Sequence, residues 1–248
     1  MTSVLYEHPL NERIRNYLKL EQLFAQAHSF DACNLENTHQ SFFTTLFTVI
    51  DNLERSDIRG DLIKDLEKLE QSLVIWSKAP EIDTTALEDN LKLVVSLICK
   101  LKVNKPRGLQ LKEDKFLNSV KQRFAIQGGS SSFDLPQLQF WLHQAKEAKA
   151  GDISRWLGYL EQIQQSLTIV LKFIRQRDNF EKITTDSGFY QDTGEGLMLL
   201  RIKINADANY YPTVSGNRFR YSIRFMHPCQ EHGRRYSNDP TAFELSKC

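Results

Sequence analysis

The stretch Met198-Leu199-Leu200-Arg201-Ile202-Lys203-Ile204-Asn205 decides the architecture, because here the chain changes period. Leu200, Ile202 and Ile204 alternate with Arg201 and Lys203, the two-residue repeat of a strand with one buried and one solvated face. Upstream the apolar repeat is three to four residues. Leu10, Ile14, Tyr17, Leu18, Phe24 and Ala27 make one helical stripe, and Phe42, Phe43, Leu46, Phe47, Ile50 and Leu53 a second. Ile58, Leu62, Leu66, Leu69, Leu73 and Trp76 form a third, and Leu87, Leu91, Val94, Ile98 and Leu101 a fourth. A shorter helix over 112–124 turns Phe116, Val120 and Phe124 inward. Trp156, Leu160, Ile163, Leu167, Val170, Leu171 and Ile174 complete the series. Asp57, the Thr85/Glu88 capping-box pair, Asp134 ahead of Pro136, and Asp152 read as helix starts. Ala79-Pro80 and the run from Asn104 to Gly108 read as breaks, Gly128-Gly129 as a loop. Downstream, 218–226 alternates again and 241–245 suits a short strand, with Tyr211-Pro212 and Ser215-Gly216-Asn217 as punctuation. Val4-Leu5-Tyr6 is extended by preference. The expected fold is α+β: an N-terminal helical bundle domain over 9–178 plus a small antiparallel β-sheet domain over 179–248, joined by an N-terminal strand from 1–8.

The 248 residues carry 32 Lys and Arg against 31 Asp and Glu, a net charge of +1, which argues against a protein that coats nucleic acid. A hydrophobic fraction of 41% beside 25% charged residues describes a chain that folds around a core. No apolar run reaches the roughly 18 residues a membrane span needs; the best, 91–101, contains Lys92 and Lys100. The opening residues MTSVLYEHPLNER lack the basic and apolar regions of a signal peptide. Cys33, Cys99, Cys229 and Cys248 are far apart and form no metal-binding spacing. The expectation is a cytoplasmic protein with reduced cysteines and no membrane segment.

Charge is not evenly spread. In Asn217-Arg218-Phe219-Arg220-Tyr221-Ser222-Ile223-Arg224-Phe225, strand geometry gives Phe219, Tyr221, Ile223 and Phe225 one face and Arg218, Arg220, Ser222 and Arg224 the other. Arg201 and Lys203 join them if their strand shares the orientation. Residues 201–235 hold seven basic and two acidic side chains. Lys112, Lys115, Lys121 and Arg123 form a second basic cluster on the helix over 112–124. Guanidinium groups fit carboxylates and phosphates bidentately, so a crowded row of them suggests an anionic ligand. Three readings fit: a solvated outer sheet face, a site for an acidic peptide or protein tail, or a nucleic-acid surface. The last is weakened because no RNP-like motif, helix-turn-helix or Cys/His finger is present.

Enzyme signatures are lacking. Gly128-Gly129-Ser130-Ser131-Ser132 has no phosphate-loop lysine, and there is no G-x-S-x-G and no His-x-x-x-His pair. His227 and His232 flank Cys229 but make a weak metal signal. No catalytic residue, metal ligand or cofactor is assigned.

Several longer segments together resemble a known family. They are Leu5-Tyr6-Glu7-His8-Pro9-Leu10-Asn11-Glu12-Arg13, Gly128-Gly129 leading to Ser132-Phe133-Asp134-Leu135-Pro136, Gly188-Phe189-Tyr190-Gln191-Asp192, Tyr211-Pro212 with Ser215-Gly216, and Ile223-Arg224-Phe225-Met226. In this order they are similar to the ZapD family, bacterial cell-division factors associated with the FtsZ ring. The resemblance implies a helical domain plus a β domain and no catalytic activity. It also implies a homodimer that binds the C-terminal tail of FtsZ and cross-links its filaments at midcell. Arg220 and Arg224 match a basic pocket of the family, Arg55 a further basic position, and Lys115 a position that is Arg in a relative. Ser130-Ser131 stand where cysteines can occur. The expected partner-binding set is therefore Arg218, Arg220, Arg224, Lys115, Arg55, Lys121 and Arg123.

Overall fold

The structure is a computed structural model that describes residues 2–30, 35–77, 84–103 and 108–248. The breaks expected at Ala79-Pro80 and over 104–107 lie outside the described residues, as does Cys33. Helices precede strands along the chain, which is the α+β order. Two compact units result, one of Lys19–Val170 and one of Met1–Leu18 with Leu171–Cys248.

Of the helices, α1 (Glu12–Ser29), which is divided between the two units, and α2 (Leu35–Arg55), α3 (Ile58–Trp76) and α4 (Thr84–Lys102) of the helical unit follow the predicted stripes. Asp57 caps α3 by accepting from the Gly60 N–H at 3.0 Å. Thr85 is helical rather than the N-cap of α4, and Glu88 pairs with Lys92 at 3.6 Å one turn on. The single helix expected over 112–124 is two, α5 (Gly108–Glu113) and α6 (Lys115–Phe124). Asp114 causes the break. One carboxylate oxygen caps α6 through the Leu117 N–H at 3.0 Å, and the other accepts from the Trp156 indole at 2.9 Å. Asp134 ends a short 3-10 turn (Ser132–Asp134), and Leu135 occupies the N-cap position of α7 (Pro136–Leu142). Asp152 lies inside α8 (Lys146–Gly158), where it accepts from the Trp141 indole at 2.8 Å; a further helix, α9 (Glu161–Arg175), follows. Phe42, Phe43, Phe47, Phe116, Phe124, Trp141 and Trp156 make an aromatic core. Its most nearly parallel pair is Phe116 stacked on Trp156, centroids 5.7 Å apart and planes 4° from parallel.

The β unit contains two antiparallel sheets. In the first, β1 (Ser3–Pro9), β4 (Leu199–Asn205), β8 (Thr241–Lys247) and β2 (Glu181–Thr185) lie in the order β1-β4-β8-β2. In the second, β3 (Phe189–Thr193), β6 (Arg220–Cys229) and β5 (Tyr211–Gly216) run side by side, and β7 (Gly233–Tyr236) also pairs with β6. Tyr211-Pro212 and Ser215-Gly216, read as punctuation, are strand residues; Pro212 is tolerated because β5 is an edge. The apolar faces share one core, in which Leu200, Ile202, Ile204, Phe243 and Leu245 meet Tyr221, Ile223 and Phe225. Phe225 and Phe243 approach to 4.9 Å between centroids.

This layering corrects two expectations. Arg201 and Lys203 belong to the first sheet and Arg220 and Arg224 to the second, so the five cations do not share a face. Arg201 instead donates to Glu7 at 3.1 Å, and Arg175 holds the same carboxylate at 2.7 and 2.9 Å. Phe219 is 63% exposed, because β6 begins one residue later and Phe219 stands in the preceding turn.

Candidate functional site: the outer face of β6

Alternation along β6 buries Tyr221, Ile223 and Phe225 and leaves Arg220 and Arg224 exposed on the opposite side. The two arginines are four residues apart, about 13 Å of strand at 3.3 Å per residue. Opposed residues of paired strands share a face, so register supplies the surroundings. Phe189, Gln191 and Thr193 flank them from β3, and Thr213 and Ser215 from β5. Arg234 and Tyr236 come from β7, opposite Pro228 and Met226. None of these neighbours is acidic. The nearby carboxylate, Asp192, is turned to the other side of β3, opposite Tyr221, and engages Lys247 at 2.6 Å and the Tyr190 hydroxyl at 3.0 Å. Among the described residues neither Arg220 nor Arg224 makes an ion pair.

Arg218 is not in the row. It lies in the turn between β5 and β6, its guanidinium 4.6 Å from the Phe219 ring. The Asn217 side chain shapes that turn by accepting from the N–H groups of Phe219 and Arg220 at 2.9 and 3.2 Å. The strand therefore presents Arg220 and Arg224, with Arg218 just beyond its end.

The remaining predicted residues belong to the helical unit. Lys121 is held by Asp51 at 2.7 Å and by Glu54 at 3.8 Å, both on α2, and Glu54 also takes Lys112 at 3.4 Å. The cluster on α6 is thus partly neutralised. Lys115, Arg123 and Arg55 are exposed and without an ion pair among the described residues. Lys115 stands at the first position of α6, where a cation meets the positive end of the helix dipole.

A sequence model of the ZapD family, described as a cell division protein, matches residues 18–224. The chain belongs to the ZapD family. It is 38% identical to cell division protein ZapD of Serratia proteamaculans over 247 residues, covering 99% of this chain and 98% of the relative. It is 39% identical to the ZapD of Yersinia enterocolitica over 248 residues, covering 100% and 98%. Membership of the ZapD family gives the chain a role in cell division. No described helix is long and apolar enough to cross a membrane.

In this ZapD-family chain two residues of this face escaped the sequence reading, Phe189 and Tyr236. Both rings lie against Arg224, with centroids 4.7 and 5.1 Å from its guanidinium carbon. The run Gly188-Phe189-Tyr190-Gln191-Asp192 was informative as a resemblance, but pairing of β3 and β7 with one stretch of β6 has no local signal. Cys229 sits at the tip of the β6–β7 hairpin, where the backbone N–H groups of His232 and Glu231 lower its thiol below the usual range. Cys99 is exposed and Cys248 buried, and all three are free thiols.

Proposed function

We propose that the protein is a non-enzymatic cell-division adaptor, a homodimer that grips the acidic C-terminal tail of FtsZ on the outer face of β6. By holding one tail per subunit it cross-links FtsZ filaments into bundles and stabilises the division ring, acting in the cytoplasm at midcell. The observation that carries the reading is the pair Arg220 and Arg224, exposed and without an ion pair among the described residues, on a face to which no described neighbouring strand brings a carboxylate. Guanidinium forks suit carboxylates, and two linked sites raise avidity by about 10²–10⁴ when geometry lets both engage, so each tail contact can be weak. Lys115, Arg123 and Arg55 are further candidates for tail contacts. Lys121 contributes less, because binding a tail would compete with Asp51 and Glu54.

Bundling of polymerised FtsZ, followed by light scattering and low-speed sedimentation, tests the reading. Arg220→Ala or Arg224→Glu should remove most of the pelleted polymer while leaving the thermal midpoint of the adaptor unchanged. Wild-type bundling by the folded variants places the tail site elsewhere.

A further inference from the structure

We infer that Phe189 and Tyr236 belong to the binding surface, where they hold the Arg224 guanidinium flat as a socket for a carboxylate of an extended acidic peptide. The inference rests on the arginine-face reading above and adds the residues that shape it. Its basis is a junction. The strands β3 and β7 meet end to end along one side of β6, where Phe225 donates to the Gly188 carbonyl and accepts from the Ser237 N–H, both at 2.9 Å. Gly188 has φ +61°, and a Cβ there would come within 2.4 Å of the Ser237 carbonyl oxygen, so glycine lets the two strand ends approach. This places Phe189 directly opposite Arg224, and Tyr236 opposite Met226 two residues along on the same face.

Against two ring faces, the flat side of a guanidinium gains cation–π attraction and loses rotational freedom, while its N–H edge remains available. That edge matches a carboxylate in the plane of the cation. Tyr236 leaves 61% of its surface in water, apolar area that a side chain next to the bound carboxylate would cover. Arg220 and Arg234 add positive charge and no acid opposes it on this face, so complementarity selects an acidic peptide lying along β6.

Fluorescence anisotropy with a labelled FtsZ tail peptide tests the inference. Each ring, the half-buried Phe189 and the exposed Tyr236, is expected to contribute about two- to fivefold in affinity. Phe189→Leu/Tyr236→Leu should therefore weaken binding about tenfold, with its salt dependence unchanged because no charge is lost. Tyr236→Phe, which keeps the ring, should bind within about twofold of wild type. Arg224→Lys, which keeps the charge, should still lose affinity. Should the double variant fail to fold, Tyr236→Leu at the exposed position carries the test.

If Arg224→Ala weakens binding but the ring variants do not, the inference is overturned and the arginine face stands. Unchanged binding by both Arg220→Ala and Arg224→Ala would remove the arginine-face reading itself. A tail peptide with Asn and Gln in place of its acids should not bind, and equal binding overturns the carboxylate socket. Tighter binding of a single-stranded oligonucleotide than of the peptide at the same salt concentration overturns the peptide assignment.

Discussion

Asp192 shows how one carboxylate keeps a neighbouring surface positive. It lies on β3, yet alternation turns it away from Arg220 and Arg224 and onto Lys247 and Tyr190. The hydrogen bond from Lys247, with help from the Thr193 N–H, holds its carboxyl below the ordinary value of 3.8. A carboxylate depressed in the folded state contributes stability above its unfolded value, and that contribution is lost as pH falls through the folded one. The thermal midpoint should therefore decline below about pH 4, with part of the decline due to this pair. Asp192→Asn should lower the midpoint near neutrality and flatten the acid limb, read by circular dichroism across pH 2–7. Parallel curves for the two proteins would show that the pair adds nothing. The effect is modest because both side chains are 31% exposed.

The break between α5 and α6 depends on Asp114, whose two oxygens serve two elements. Asp114→Ala removes the cap and leaves the Trp156 indole N–H without its partner, so chemical denaturation should show a loss of about 2–3 kcal/mol. Asp114→Asn, whose single amide oxygen can accept only one of the two bonds, should lose less than the alanine variant; equal losses would mean that one remaining acceptor restores nothing. The break also shows where sequence reading stops. The stripe from Phe42 to Ile50 was legible because its spacing is a property of the helix itself, and all five aromatic and aliphatic anchors Phe42, Phe43, Leu46, Phe47 and Ile50 are buried. Asp152 was read as a helix start because a carboxylate ahead of an apolar run is the usual cap, whereas here it meets Trp141, a partner fixed by tertiary packing. Alternation likewise told which of Arg220 to Phe225 point together, but not that Arg201 and Lys203 lie on a different sheet. Strand pairing is set by distant segments, and no local pattern encodes it. For the same reason Arg220 and Arg224 were found from sequence and the rings beside Arg224 were not.

A protein of net charge +1 that places Arg220, Arg224 and Arg234 on one face around β6 offers an anion a local attraction without a basic surface overall. The helical unit carries its own cations, but those on α6 are partly matched by Asp51 and Glu54, whereas the face of β6 is left unmatched. Membership of the ZapD family fixes the setting as cell division; the proposed partner contact of that face is an acidic tail. High-speed co-sedimentation of the protein with polymerised FtsZ, intact or lacking its final dozen or so residues, tests that assignment most directly. The protein should pellet with intact polymer and stay in the supernatant with the truncated one. Equal pelleting with both would contradict it.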